Sequence, residues 1–172
     1  MANDAWNIEH LRREHRRDQF SCGEPSLDEY LAKYARQNDD KGLGRTFVAT
    51  RPGNLVVQGY ATLRGRALSA ATLPEAERKR LPNYPVPVVV HMGRLAVDRA
   101  AQGQRLGEAL LVDALRGAYA ASKDVAAYAV EVIAINEKAR AFYLKYGFQE
   151  MLDDRLHLYL TMKIVSGLAE TK

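Results

Sequence analysis

The chain has 172 residues, of which 47% are hydrophobic and 27% charged, a composition typical of a soluble globular protein and unlike that of a disordered one. Its net charge of +4 permits an anionic partner. The single cysteine, Cys22, excludes an intramolecular disulfide and a thiolate-cluster zinc site, and no metal is expected. We expect one domain over residues 1–172, with neither a signal peptide nor a membrane span, in the cytoplasm.

The first half of the chain alternates between short strand and helix patterns. The capping-box pattern of residues 26–29 predicts a helix whose N-cap is Ser26. Residues 45–50 are predicted to form a strand that pairs in a hairpin with residues 55–63. A proline-rich loop is predicted over residues 82–87. This alternation predicts an α/β or α+β architecture.

The second half has clearer periodicity. Strands are predicted at residues 88–97, 125–135 and 156–164. The first strand leads through a polar loop into a helix that begins near Leu106. After the second strand, Asn136 is predicted to cap a helix that Gly147 ends in a left-handed turn.

The loop before Leu106 has features of an anion site. The first amides of a helix lack intrahelical partners and lie at the positive end of its dipole, where they bind phosphate oxygens. Gly103 and Gly107 allow a ligand to approach the backbone, and Arg105 adds a positive charge. Many helix starts carry glycine without a ligand, so the spacing alone leaves anion binding open. The loop has neither a Walker pattern nor a dinucleotide fingerprint.

A second segment, from Asn136 to Phe148, also follows an apolar strand and carries Phe142, Tyr143 and Gly147. If the two strands are parallel neighbours, both helix starts lie at the carboxyl edge of the sheet, where ligands collect in open sheets. Taken singly, each aromatic side chain has a simpler interpretation as helix-to-sheet packing.

Together the two segments resemble the GNAT family of acyl-CoA-dependent N-acetyltransferases. The family's cofactor motif, Gln/Arg-x-x-Gly-x-Gly/Ala, is matched by residues 102–107, with Arg105 in place of the central glycine. The later motif is matched by Asn136, by Phe142-Tyr143 and by Gly147-Phe148. The resemblance implies the GNAT fold, a mixed central sheet flanked by helices with splayed central strands.

Four segments are similar to the acetyltransferase toxins of type II toxin–antitoxin modules: residues 20–31, 35–37, 45–48 and 93–98. That resemblance implies an enzyme that uses acetyl-CoA, without a metal, to acetylate the amino group of an aminoacyl-tRNA and so block translation. It also implies an antitoxin partner of the ribbon-helix-helix type, while a homodimer is left open and no membrane partner is expected.

The resemblance also implies roles for individual residues. Tyr143 matches the general acid for the departing thiolate, and its reference pKa makes it a hydrogen-bond donor more than a strong acid. Glu131 is the nearest sequence candidate for a base, but the base is left unassigned. His10, His15, His91 and His157 lack ligand spacing and are interpreted as structural or exposed. The implied cofactor-binding residues are Leu95, Ala96, Val97, Gln102, Gly103, Gln104, Arg105, Leu106, Gly107, Asn136 and Phe142.

For tRNA, the candidate phosphate-binding residues are Arg45, Arg78, Lys79 and Arg80. Acidic residues lie among the basic clusters, so an ordinary solvated surface is the alternative interpretation. Two other functions stay open at this point. One is a GNAT enzyme that acetylates a small-molecule amine or a protein N-terminus, and the other is a non-catalytic module that binds acyl-CoA or nucleic acid.

Overall fold

The computed structural model describes residues 5–81 and 87–170. Its strands are β1 (Asn7–His10), β2 (Arg45–Thr50), β3 (Gly59–Ala67), β4 (Val88–Val97), β5 (Ala129–Ile133), β6 (Gln149–Glu150) and β7 (His157–Thr161). Its α-helices are α1 (Pro25–Glu29), α2 (Ala35–Asp40), α3 (Glu75–Arg78), α4 (Leu106–Ser122), α5 (Glu137–Lys145) and α6 (Met162–Glu170). The predicted class is confirmed: the fold is mixed α/β, with a seven-stranded, mostly antiparallel sheet flanked by helices.

The chain divides into two compact units. The first comprises Met1–Arg64 and Gly93–Ala114, and the second comprises Gly65–Met92 and Leu115–Lys172. Strands β3 and β4 and helix α4 therefore each contribute residues to both units. The prediction of one domain over residues 1–172 stays a prediction.

In the first unit, β1, β2 and β3 pair antiparallel in that order. The register places Phe47 opposite both His10 and Ala61, so β2 is the central strand of the three. Val48 and Ala49 are completely buried, one in each of two apolar clusters. The strand is therefore covered by side chains on both faces, which suits its run of apolar residues.

The predicted capping box at residues 26–29 is wrong. Helix α1 begins at Pro25, with Glu24 as its N-cap and no side-chain cap. Proline at the first helical position has the right φ and needs no hydrogen-bond acceptor for a backbone N–H, so it starts the helix upstream of Ser26. One wider π-helical turn, Tyr30–Tyr34, then joins α1 to α2.

In the second unit, β5 pairs antiparallel with β7, and β7 pairs antiparallel with β6. Strand β4 has its predicted bounds and pairs parallel with β5 over Val90–Met92. This short ladder is compatible with the expected splay of the central strands. The predicted limits of α5 are also confirmed, since Asn136 is its N-cap and Gly147 follows it with φ +95°.

Several predicted strand limits are wrong. Strand β3 occupies residues 59–67 instead of 55–63, and β5 occupies only five of the eleven residues predicted at 125–135. The strand predicted at 156–164 ends at Thr161, where α6 begins. A helix there buries Val165 completely, whereas the alternating pattern would have buried Ile164, which is 44% exposed. Most of the predicted proline-rich loop, residues 82–86, lies outside the described residues.

Gly59 allows α4 to pack closely on the start of β3 within the first unit. A Cβ atom built on Gly59 would lie 2.9 Å from Leu110 Cδ1, 3.0 Å from Leu106 Cδ2 and 3.1 Å from the carbonyl oxygen of Ala96. Because the last of these is a backbone atom, rotation of side chains cannot relieve the overlap. An added methyl group at position 59 would therefore crowd both the leucine side chains of α4 and the backbone of β4.

We expect Gly59→Ala to lower the free energy of unfolding by about 1–3 kcal/mol, the usual cost of overpacking. Urea denaturation followed by circular dichroism measures the change. Gly65→Ala on the same strand is the matched control, since nothing lies within 4 Å of its added Cβ. Equal stability of the two variants would contradict the packing argument.

Candidate active site

Asp98 anchors the loop between β4 and α4. Its Oδ1 accepts a hydrogen bond from the amide of Ala100 at 2.9 Å, and its Oδ2 accepts one from the amide of Ser21 at 2.9 Å. The amide of Arg99 also donates to the carbonyl oxygen of Ser21 at 2.9 Å. These bonds tie the first turn of the loop to the segment that precedes α1. Asp98 was not among the predicted site residues. An aspartate is nevertheless a known turn signal, because its carboxylate can accept a hydrogen bond from the backbone amide two residues later.

The loop then contains two left-handed residues, Gly103 with φ +81° and Arg105 with φ +64°. Among the described residues, Arg105 is the one non-glycine residue with positive φ. It therefore has a backbone conformation that glycine adopts without strain. Its side chain is 79% exposed, and its Nε donates to Glu108 Oε1 at 2.9 Å.

The two glutamines of the loop brace it with their side chains. Nε2 of Gln102 donates to the carbonyl oxygen of Val97 at 3.0 Å, and Nε2 of Gln104 donates to that of Ala100 at 3.2 Å. Oε1 of Gln104 also accepts a hydrogen bond from Arg51, whose guanidinium stacks 3.8 Å above the ring of Trp6. What these glutamines offer a ligand is therefore mainly their backbone amides.

Four residues of the predicted cofactor set, three at the end of β4 and one at the start of α4, have side chains that pack in the core. Ala96 is 5% exposed and Leu106 is 1% exposed, while Leu95 and Val97 are partly buried against the cluster that contains Leu106. Their side chains are committed to packing, so their main-chain groups are the part left for a ligand. Nothing lies within 4 Å of the Cβ position of Gly103, which leaves open space beside the loop backbone.

Helix α5 carries the aromatic residues of the second predicted segment. Asn136 Oδ1 caps the helix by accepting a hydrogen bond from the amide of Ala139 at 2.9 Å. The ring of Phe142 lies edge-on to Tyr143, with centroids 5.4 Å apart, and Tyr143 also contacts Phe148. Tyr143 is 7% exposed, and burial raises its pKa well above the usual value, so its phenol stays protonated at neutral pH.

The predicted residues thus fall into two groups. The strand and loop residues from Leu95 to Gly107 belong to the first unit, whereas Asn136, Phe142 and Tyr143 belong to the second. Within each unit the structure brings its group together on one strand-to-helix connection.

The predicted tRNA-binding residues differ in how they are held. Arg45 Nη1 donates to Asp39 Oδ1 at 2.8 Å and to the carbonyl oxygen of Asp39 at 2.7 Å, although 56% of its side chain is exposed. Arg78, Lys79 and Arg80 are exposed at the end of α3, and Lys79 has a loose ion pair with Glu75 at 3.8 Å. Part of the charge of Arg45 is therefore balanced within the protein, whereas the α3 residues face solvent.

The second unit contains a buried ionic cluster that was not predicted from the sequence. Glu131, completely buried on β5, accepts a hydrogen bond from His91 Nδ1 at 2.8 Å and one from His157 Nε2 at 2.5 Å. His157 Nδ1 lies 2.9 Å from Asp153 Oδ1, and Arg66 Nη1 lies 3.7 Å from Glu131 Oε1. A polar residue within the apolar run 125–135 was the only signal of this cluster.

Two residues of the cluster, Glu131 and His157, have shifted pKa values. Burial by itself would raise the pKa of Glu131, but the hydrogen bonds from His157 and His91 outweigh it and hold the pKa at about 2. The bond to Glu131, against burial and assisted by Asp153, raises the pKa of His157. Glu131 therefore stabilises the fold above its ordinary pKa, and that contribution is lost as pH falls towards about 2.

His157 should make stability depend on pH in the opposite direction. Because its folded pKa is raised, its contribution is complete below about pH 6.5, the unfolded value, and is lost as pH rises through the folded pKa. We expect the wild type to lose free energy of unfolding as pH rises above about 6.5, and His157→Gln to lack this loss. Urea titrations at a series of pH values measure it, with Asp153→Asn intermediate. Equal pH dependence of wild type and His157→Gln would contradict the assignment.

The described residues contain neither a metal-binding group nor a helix that could span a membrane. No three His, Cys, Asp or Glu side chains there are grouped so as to hold a metal ion. No helix in that part of the chain is long and apolar enough to cross a membrane.

Comparison with known proteins gives a consistent result. The profile of the acetyltransferase (GNAT) domain family matches residues 42–150. The tRNA-acetylating toxin of Mycobacterium tuberculosis is 42% identical over 149 residues, which are 87% of this chain and 87% of the toxin.

Solved structures similar to this chain include two of AtaT. AtaT complexed with acetyl-methionyl-tRNAfMet superposes with a TM-score of 0.88 at 30% identity, over 95% of this chain and 98% of that one. A mutant of AtaT bound to the C-terminus of the antitoxin AtaR and to acetyl-CoA has a TM-score of 0.82 at 26% identity, over 97% of this chain and 99% of that one.

Proposed function

Because the chain belongs to the GNAT acetyltransferase family, we propose that it transfers the acetyl group of acetyl-CoA to the α-amino group of an aminoacyl-tRNA. The product cannot support normal translation, so the protein acts as a toxin. The observation that carries the choice of substrate is the 42% identity to a tRNA-acetylating toxin over 87% of both chains. AtaT, which has been solved with acetyl-methionyl-tRNAfMet, supports the same choice.

The loop of residues 102–107 would hold the diphosphate of acetyl-CoA. Its left-handed residues Gly103 and Arg105, together with the open space beside Gly103, leave backbone amides accessible at the start of α4. Main-chain groups of Leu95 and Val97 would hold the pantetheine arm. The carbonyl oxygen of Val97 already accepts a hydrogen bond from Gln102 Nε2.

Tyr143 would donate a hydrogen bond to the sulfur that leaves. When bound, acetyl-CoA supplies a thioester, whose acetyl carbon is the electrophile. Because burial raises the pKa of Tyr143 far above that of a thiol, complete proton transfer from the phenol is uphill. A positioned donor still stabilises the negative charge that develops on sulfur. Asn136 and Phe142 would support this position, since one caps α5 and the other packs against the Tyr143 ring.

For the tRNA, Arg78, Lys79 and Arg80 are the stronger candidates, because they are exposed and, within the described part of the chain, their one ion pair is the loose contact of Lys79 with Glu75. Arg45 would contribute less, since Asp39 already binds its guanidinium. Such contacts with phosphate give affinity that is independent of sequence and sensitive to salt.

We also propose an antitoxin of the ribbon-helix-helix type as a partner, as the resemblance to toxin–antitoxin modules implies, and a cytoplasmic location where charged tRNA is found. AtaT, which has been solved with the C-terminus of its antitoxin AtaR, supports a protein partner of this kind. A homodimer is a further proposal, to be checked by sedimentation of the purified protein.

Arg105 should be replaceable by glycine but not by valine. Glycine adopts the observed φ of +64° freely, whereas a β-branched residue there is strained by about 1–3 kcal/mol. We expect Arg105→Gly to bind acetyl-CoA within about threefold of wild type and Arg105→Val to bind about tenfold more weakly or worse. Isothermal titration calorimetry measures both. A large loss in Arg105→Gly would instead assign the binding to the guanidinium.

The decisive test of function incubates the protein with labelled acetyl-CoA and bulk charged tRNA. We expect label on the aminoacyl group and a loss of about 100-fold or more in Tyr143→Phe, which lacks the donor. Tyr146→Phe, one turn further along the same segment, is the matched control and should retain activity. Growth arrest on expression should follow the same order.

Other outcomes of that experiment would select another function. Label on small amines or protein N-termini, with none on tRNA, would make this a different GNAT enzyme. Calorimetric binding of acetyl-CoA without transfer to any amine would make it a non-catalytic module. Undiminished transfer by Tyr143→Phe would remove Tyr143 from its assigned role.

A further inference from the structure

One exposed arginine of the first unit has a fixed position that the proposed function does not use. Arg51 follows β2 directly, and its carbonyl oxygen accepts a hydrogen bond from the amide of Asn54 at 3.0 Å. Pro52 and Gly53, which has φ +76°, occupy the two central positions of this turn, as a type II turn favours. The preceding residue, Thr50, is paired with β1. The backbone of Arg51 is therefore held on both sides.

The guanidinium of Arg51 rests on Trp6. It lies 3.8 Å from the centroid of the indole ring, and its Nη1 donates to the carbonyl oxygen of Ala5 at 3.3 Å. The ring beneath it is itself fixed, because Trp6 is 6% exposed and belongs to the apolar cluster that contains Ala101 and Leu106. A guanidinium stacked on an aromatic face keeps its plane, and with it the directions of its N–H groups.

From this base Arg51 reaches the phosphate loop, residues 102–107. Its Nη2 donates to Oε1 of Gln104, and Nε2 of the same side chain donates to the carbonyl oxygen of Ala100 at 3.2 Å. Both polar atoms of the Gln104 side chain are therefore used within the protein. They form a link between the guanidinium of Arg51 and the turn that precedes the phosphate loop.

The conformation of the phosphate loop explains why such a link matters. Gln104 lies between Gly103 and Arg105, the two loop residues with positive φ. A non-glycine residue with positive φ is strained and persists only where its surroundings hold it. Nothing lies within 4 Å of the Cβ position of Gly103, so packing does not hold the loop at that point. A loop that must be ordered when a ligand binds loses affinity for that ligand.

We propose that Arg51 is a positioning residue for acetyl-CoA, which holds the phosphate loop through Gln104 in the conformation that binds the diphosphate. The inference rests on the proposed function, because that function places the diphosphate at residues 102–107. Arg51 acts through Gln104 and not by contact with the ligand. Its contribution is to the affinity for the cofactor, and the chemical step is unchanged. All the residues involved belong to the first unit.

A double-mutant cycle tests this role, with the Kd for acetyl-CoA measured by isothermal titration calorimetry. Arg51→Met keeps an unbranched side chain over Trp6 but lacks the donor, and Gln104→Ala keeps the backbone amide but lacks the link. We expect each variant to bind about three- to tenfold more weakly than the wild type, as for the loss of one hydrogen bond. The double variant should bind within about twofold of the weaker single variant, because both substitutions break the same link.

Arg64→Met is the matched control for charge. Arg64 is an exposed arginine of the same unit, on β3, and its replacement changes the net charge equally. It should bind acetyl-CoA like the wild type. In Arg51→Met the KM for acetyl-CoA should rise by the same factor as Kd while kcat is unchanged, whereas general damage to the fold would lower kcat too.

Two results of the cycle would overturn the proposal. The first is wild-type affinity in Arg51→Met. The second is a double variant in which the two losses multiply, because Arg51 would then act independently of Gln104.

A second ligand distinguishes the two phosphate positions of the cofactor. 3′-Dephospho-coenzyme A keeps the diphosphate but lacks the phosphate on the ribose. We expect Arg51→Met to lose affinity for coenzyme A and for this analogue by the same factor. A loss confined to coenzyme A would mean that Arg51 contacts the ribose phosphate directly, which contradicts the positioning role.

Failure of the proposed function would give a different result. If the wild type does not bind acetyl-CoA, the cofactor proposal is wrong, and this inference is wrong with it. If the wild type binds acetyl-CoA but acetylates another amine or none, the substrate proposal is wrong. The cycle of Kd values then still decides the role of Arg51.

Discussion

The turn from β4 into α4 is the constraint on which the first unit depends. Asp98 ties it to Ser21, and the left-handed Gly103 and Arg105 reverse the chain so that α4 can begin at Leu106. The direction of α4 is set there, and Gly59 lets the helix lie against β3. One backbone arrangement thus determines both the direction of α4 and the packing of the core beneath it.

In the second unit the main constraint is the buried carboxylate of Glu131. Removing Glu131 from water costs several kcal/mol unless hydrogen bonds and opposite charges compensate. His91, His157 and Arg66 provide them, from three strands that are far apart in sequence. Compensation of this one buried carboxylate therefore links side chains of β3, β4 and β7 to β5.

Sequence signals for helix ends predicted the structure correctly where no stronger neighbouring signal or tertiary contact competed with them. Asn136 capped its helix and Gly147 ended it because both effects need only neighbouring backbone groups. The signal at Ser26 failed because Pro25 is a stronger local signal one residue earlier. The alternation up to Ile164 failed for a different reason: burial of Val165 in a helix, a tertiary effect, outweighed a strand pattern that was equally good in isolation.

The sequence by itself determined the fold class, the order of the two motifs and the candidate residues on them, since these depend on spacing along the chain. It also placed Arg105 at the glycine position, but only the tertiary structure decided that the residue adopts a left-handed backbone there. The partners of Glu131 were likewise beyond sequence reasoning. His91 and His157 lie 40 and 26 residues from it, and only strand pairing brings such distant side chains within hydrogen-bond distance.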